Sequence, residues 1–361
     1  MLHLGMMKSK GSSIPARFVR CVTVFALLTL TLSAARAQAP AVVAPRPVER
    51  IIIDTDPGND DALAILLALD SPVLKVEAIT VGPGNMGPNY DQQVRNALFL
   101  VDLAGKSGQI PVHAGMAHSI LNRSYPVASF IHGKFGLGNV EVTAVAQKID
   151  PEHAVDAIRR IVNQSPGEIT IAAFGGLTNV AMALLRDPVV AKNLKGILFV
   201  GGRYAVPGIV PSYNILVDPE AAHVVLNSGV PLTFVGADVV FNDSILTDED
   251  FERIAKFDTK LSRFFIASND LRRTFEKANR GTTGSTNPDP ITIATFINPA
   301  VAVRYVSLYA HVELAGESTR GVLVFGDNLY TRIPTPPPNV KLCVKGSNEE
   351  FKKMIFALLS K

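Results

Sequence analysis

Cysteine is nearly missing from this 361-residue chain, which has only Cys21 and Cys343. Once the N-terminal segment described below is removed, Cys343 stands alone. An internal disulfide is then excluded, and stability must come from the core. An excess of charge of either sign is missing too. Charged residues make up 19% of the chain and the formal net charge is +3, so nothing points to a nucleic-acid or polyanion partner. There is no internal repeat, no low-complexity segment and no linker-like stretch, so the chain reads as one folded domain over 50–361. A long hydrophobic run is also lacking: the apolar stretch from Cys21 to Ala34 is too short for a comfortable membrane span.

That stretch follows Lys8, Lys10, Arg17 and Arg20 and precedes Ala35-Arg36-Ala37. A basic region, a short apolar core and an A-x-A site form the pattern of a cleaved secretory signal over 1–37. The expectation is an exported protein, periplasmic or secreted, with no membrane association after cleavage. An uncleaved anchor is the alternative. Residues 38–49, rich in Ala and Pro, read as an extended lead-in.

From Ile51 onward, short β-branched runs alternate with helical patterns. Ile51–Ile53, Val76–Val81, Ile169–Ala173, Ile197–Val200 and Leu232–Val235 read as strands buried on both faces. Asp61–Leu69, Asp91–Leu103, Ala154–Val162, Val180–Leu185 and Glu220–Leu226 read as helices. The alternation predicts an α/β fold: a mostly parallel central sheet flanked by helices, with a Rossmann-like core. Beyond Asp248 the pattern is helical to about Ala278, with another helix near Ile291–Phe296. Val312–Leu314 and Val322–Phe325 predict an antiparallel addition. In such sheets ligands sit at the carboxyl ends of the strands.

The first of those ends is crowded with acid. In Ile51-Ile-Ile-Asp-Thr-Asp-Pro-Gly-Asn-Asp-Asp61, four aspartates fall between a strand and a helix. Two like charges 4 Å apart repel by roughly 4 kcal/mol at an effective dielectric of 20. Capping of the helix N-terminus accounts for one or two carboxylates. Four are better explained by a hard divalent cation than by a multiply capped helix, and Ca²⁺, which takes six to eight oxygen ligands, is the cofactor expected. An EF-hand is excluded, because Asn59 and Ile65 occupy the positions that would need Gly and Glu. A haloacid dehalogenase phosphatase is disfavoured by Pro57-Gly58. The G-x-G-x-x-G at Gly82–Gly87 is followed by Pro88, and no helix clearly opens on its glycines.

The motif D-T-D-P-G-N-D-D-A resembles that of the inosine-uridine preferring nucleoside hydrolases, and the likeness runs from about Arg50 to the C-terminus. The resemblance implies a single α/β domain, a bound Ca²⁺, hydrolysis of the N-glycosidic bond of ribonucleosides to base and ribose, and a homodimer or homotetramer. It implies Asp56, Asp61, the Phe174 carbonyl and Asp289 as calcium ligands, with Asp56 also the general base. Asp60, Asn85 and Asn214 would hold the sugar, in a segment Ser212-Tyr213-Asn214 that lines the substrate. His132, in H-G-K-F-G-L-G, would stand near the base with a catalytic role. A ring of carboxylates beneath the sugar suits the oxocarbenium character of glycoside cleavage.

Two positions depart from the pattern. Pro288 stands where many members have a histidine that serves the leaving base, and Ser212 stands where a glutamate holds the 5′-hydroxyl. Two readings follow: an exported hydrolase whose leaving-group activation is rearranged, through His132 or Tyr204, or which favours ribosides needing little help, such as ring-protonated purine nucleosides or cationic, non-nucleoside N-ribosides; or a calcium-dependent pentose or nucleoside binder with little turnover. Base preference is expected to reside in segments 134–139, 204–211 and 272–284.

Overall fold

The computed structural model describes residues 46–205, 211–326 and 336–361. The expected signal over 1–37 lies outside them. The lead-in expected over 38–49 gives way earlier than that span. Arg46 Nη1 donates to Ile297 O at 2.7 Å, and the first strand already opens at Glu49. An arginine beside the last carbonyls of a helix makes a charge-assisted bond, which ties this stretch to the domain.

Eleven strands are described: β1 (Glu49–Thr55), β2 (Leu74–Val81), β3 (Val112–Ala114), β4 (Ile169–Ala173), β5 (Gly196–Val200), β6 (Leu232–Val235), β7 (Leu246–Thr247), β8 (Gly284–Ser285), β9 (Ala302–Val312), β10 (Leu323–Gly326) and β11 (Val340–Gly346). Nine of them form one sheet in the order β10-β9-β11-β6-β5-β4-β1-β2-β3. From β11 to β3 each neighbouring pair is parallel, whereas β9 runs antiparallel to β10 and β11. β7 and β8 make a separate antiparallel ribbon.

The β-branched runs lie in the middle of the sheet because helices cover both of its faces. Ile51 and Ile53 pack into one apolar cluster and Ile52 into the other, as the two-residue period of a strand requires. The antiparallel addition expected at the C-terminus is present in β9 and β10. It is larger than the two apolar runs suggested, because β9 reaches back to Ala302 and β11 lies between it and β6. Exposed Lys341 and Lys345 break up the apolar text of β11.

The long helix Lys260–Arg280 occupies most of the segment 272–284 that was expected to be a base-selecting loop. It ends at Gly281, whose φ of 64° closes it in the left-handed conformation. Part of the second such segment, residues 206–210, lies outside the described residues. Among the described residues, no helix is long and apolar enough to cross a membrane.

Candidate active site

β1 lies between β4 and β2, so its carboxyl end is enclosed on both sides. Asp54 pairs in register with Thr80 and Ala173, and its Oδ1 accepts from Thr80 Oγ1 (2.7 Å) and Asn179 Nδ2 (2.9 Å). Burial pushes its carboxyl up to about 7 despite those two bonds. Asp54 therefore braces the strand end from below.

Asp56, one residue past the strand, is fully buried. Its Oδ2 accepts from the Asn85 backbone N–H at 2.7 Å, and its Oδ1 has no hydrogen-bond partner. This bond depends on Gly84, where a Cβ would overlap the Asp56 carboxylate. Helix Asn59–Asp70 then begins with Asp60 and Asp61 in its first turn. Asp61 accepts from Thr55 Oγ1 (2.5 Å), Gly58 N (2.9 Å) and Asn85 Nδ2 (3.2 Å). Asp60 Oδ2 meets Arg272 Nη2 at 2.7 Å, while its Oδ1 has no hydrogen-bond partner and lies 3.7 Å from His132 Nδ1.

Asp289 arrives from the first turn of helix Pro288–Ile297, and one carboxylate oxygen each from Asp60, Asp61 and Asp289 fall within 4.8 Å of one another. The electrostatics follow from that crowding. Burial raises Asp61 to about 6, with Asp60 adding to the shift. Burial and then neighbouring carboxylates push Asp56 and Asp289 well above the ordinary range. Asp60 goes the other way: burial acts to raise it, but Arg272 and then His132 overcome that and hold it down. Three carboxylates in one buried cluster, with Asp56 Oδ1 and Asp60 Oδ1 left unpartnered, form a hard-oxygen donor set that, once ionised, fits Ca²⁺.

These residues open into a cavity of about 520 Å³ at the carboxyl ends of β4, β5 and β6, lined by Phe174, Val200 and Val235. Asp60, Asn85, His132, Ser212, Tyr213, Asn214 and Asp289 also line it. Asp56 and Asp61 lie deeper. The Phe174 carbonyl accepts from Asn214 Nδ2, which also reaches Val200 O at 3.3 Å. Ser212 Oγ accepts from Gly202 N at 3.2 Å, and Tyr213 Oη donates to Pro126 O at 3.0 Å. Tyr213 and Ser212 are thus tied to backbone, and their contribution is the shape of the wall.

His132 is buried behind Gly58, where a Cβ would overlap the ring. Asn59 N donates to its Nδ1 at 3.3 Å, which puts the ring proton on Nε2. Burial lowers its pKa to about 4, with Asp60 and Arg272 acting in opposite directions. The imidazole is neutral near pH 7 and offers one N–H.

Sequence reasoning missed a buried polar helix face. Arg272, Glu276 and Arg280 recur every four residues along Lys260–Arg280, a spacing that ordinarily marks solvated ion pairs. Arg272 is 3% exposed and Glu276 fully buried. Arg272 Nε also donates to Asn59 Oδ1 at 3.0 Å. Asn59 stands inside the acidic motif, where attention to the aspartates hid it. Pro288 lines the cavity directly before Asp289 and brings no proton.

Residues 51–353 match the family model described as inosine-uridine preferring nucleoside hydrolase. The chain is 35% identical over 280 residues to the inosine-uridine preferring nucleoside hydrolase of Crithidia fasciculata, covering 76% of this chain and 87% of that one. It is 36% identical over 289 residues to a probable uridine nucleosidase of Arabidopsis thaliana, covering 78% and 87%. Among solved structures, a plant nucleoside hydrolase superposes with a TM-score of 0.80 at 33% identity, covering 87% of this chain and 99% of that one. A purine-preferring ribonucleoside hydrolase from Gardnerella vaginalis superposes with a TM-score of 0.77 at 30% identity, covering 86% and 99%.

Proposed function

Since this chain belongs to the inosine-uridine preferring nucleoside hydrolase family and is an N-glycosidase of ribonucleosides, we propose that it works as an exported, calcium-dependent enzyme with its chemistry centred on Asp56. The carrying observation is the unpartnered, fully buried Asp56 Oδ1 beside a cluster of carboxylates that repel one another. Asp56, Asp61, Asp289 and the Phe174 carbonyl would hold the ion. Bound calcium would supply the positive charge that lets these carboxylates ionise together, and would orient water and the sugar diol. Export rests on the N-terminal pattern alone.

The protein's own groups account for the remaining steps. Asp56 accepts the proton of the attacking water as the N-glycosidic bond lengthens. Asp60 offers its free Oδ1 to a ribose hydroxyl, because Arg272 holds the other oxygen and keeps the carboxylate ionised. Carboxylates beneath the ring stabilise the positive charge that develops on the sugar. His132, neutral near pH 7, serves as a hydrogen-bond donor through Nε2 and not as a general acid. Pro288 cannot donate, so the base leaves without a proton from that position.

A binder would have no need for an ionised base at Asp56, which is why turnover is favoured over capture. The test is Asp56→Asn. The expected result is a loss of turnover by about 10²–10⁴-fold with binding of a ribose analogue nearly intact. Unchanged turnover would remove Asp56 from the reaction.

A further inference from the structure

The cavity carries a second charged feature beside its acidic floor. Arg203, Arg272 and Arg280 all line it, against two acidic lining residues among those described, Asp60 and Asp289. Arg272 is committed to Asp60 at 2.7 Å. Asp289 belongs to the carboxylate cluster. Arg280 is held differently: its Nη1 donates to Glu276 Oε1 at 2.8 Å, and its guanidinium lies 5.3 Å from the ring centre of Phe241 and 6.0 Å from that of Phe275.

Glu276, the ion-pair partner of Arg280, is engaged on several sides. It is fully buried, and its oxygens also accept from Thr286 N and Thr286 Oγ1, both at 2.7 Å, with Arg272 Nη1 at 3.8 Å. One carboxylate is thus shared between two arginines and a threonine. Burial pushes Arg280 down from its usual value, Glu276 opposes that, and the nearby Arg272 and then Arg203 add to the lowering, although a guanidinium stays protonated throughout. Its side chain is 36% exposed and lines the cavity, with its planar fork of donors beside two aromatic rings. That is the chemistry that binds a carboxylate or phosphate in bidentate fashion.

We propose that the Arg280 end of the cavity, with Arg203 beside it, selects ribosides that carry an anionic group, either a carboxylate on the base or a phosphate on the 5′-oxygen. This deepens the hydrolase reading and rests on it for the identity of the remaining substrate. Ser212 agrees with such a substrate, because the wall there presents a hydroxyl and no carboxylate that would repel an anion.

The test uses fragments that cannot be hydrolysed, so binding is read apart from turnover. Dissociation constants are measured by calorimetry for uracil against 6-carboxyuracil and for ribose against ribose 5-phosphate, on the calcium-loaded protein. Hydrolysis of the parent ribosides is followed in parallel. The anionic member of one pair is expected to bind at least about tenfold tighter, and the pair that shows it identifies the source of the charge. Arg280→Gln is expected to erase that ratio, and Arg203→Gln to reduce it, in proteins whose thermal unfolding stays cooperative. The advantage should also shrink as ionic strength rises. Equal binding within both pairs overturns the proposal, as does a preference untouched by either substitution. Preference without hydrolysis of any riboside would support the anion site and overturn the hydrolase reading. Hydrolysis without preference would do the reverse.

Discussion

At the scale of single residues, the site is a set of carboxylates whose partners decide their roles. Asp54 is held through Oδ1 by Thr80 and Asn179, Asp56 by the Asn85 backbone through Oδ2, and Asp60 by Arg272, each keeping its other oxygen without a hydrogen-bond partner. The aspartates were legible because four acids in eight residues defy ordinary helix capping. Arg272 was not, because its spacing to Glu276 fits a solvated pair as well as a buried one. Removing its charge should reveal the difference. Arg272→Met leaves Asp60 buried without its cation, and breaking a buried pair in this way costs about 3 kcal/mol or more. Urea unfolding near neutral pH is expected to register that loss, with part of it returned in Arg272→Met combined with Asp60→Asn. A change below about 0.5 kcal/mol would mean the pair behaves as a surface pair does.

At the scale of elements, the decisive unit is the turn between β1 and helix Asn59–Asp70, with the Gly84 loop pressed against it. Sequence periodicity placed β6, and β1 and β4 with the helices after them, within a residue or two, because strands buried on both faces have uninterrupted apolar text; the short helix Ala237–Asp243 after β6 was not read. β3 and β11 escaped notice because one is three residues long and the other is broken by lysines. The glycines of Gly82–Gly87 also have a different purpose from the one their spacing suggests: the next helix opens only at Tyr90, and Gly84 makes room for Asp56. Gly84→Ala should therefore displace the Asp56 carboxylate while leaving the sheet intact. A misplacement of about 1 Å costs on the order of a hundredfold in rate, so kcat is expected to fall that far with unfolding nearly unchanged. Full activity would show that the loop yields without moving Asp56.

At the scale of the whole molecule, the parallel sheet gathers the ends of β1, β4, β5 and β6 around one cavity and buries several carboxylates there. That has a consequence for stability. In the metal-free protein Asp54 stands at about 7 and Asp61 at about 6, and Asp56 and Asp289 move in the same direction. Between about pH 4 and 7 these groups hold more protons folded than unfolded, so their contribution falls as pH rises through that window. His132, lowered to about 4, and Asp60, also lowered, act the opposite way with one group each. The chelated protein should therefore melt at a higher temperature near about pH 6 than near about pH 8. Calcium should raise Tm most at the higher pH, where it does not have to displace protons. A calcium increment independent of pH would separate the ion from these carboxylates.

The most direct measurement is the release of reducing sugar from uridine and inosine by protein stripped of metal, before and after calcium is added back. The expected result is no release from the stripped protein and recovery that saturates with calcium. Undiminished release without calcium, or none with calcium bound, would contradict a calcium-dependent nucleoside hydrolase.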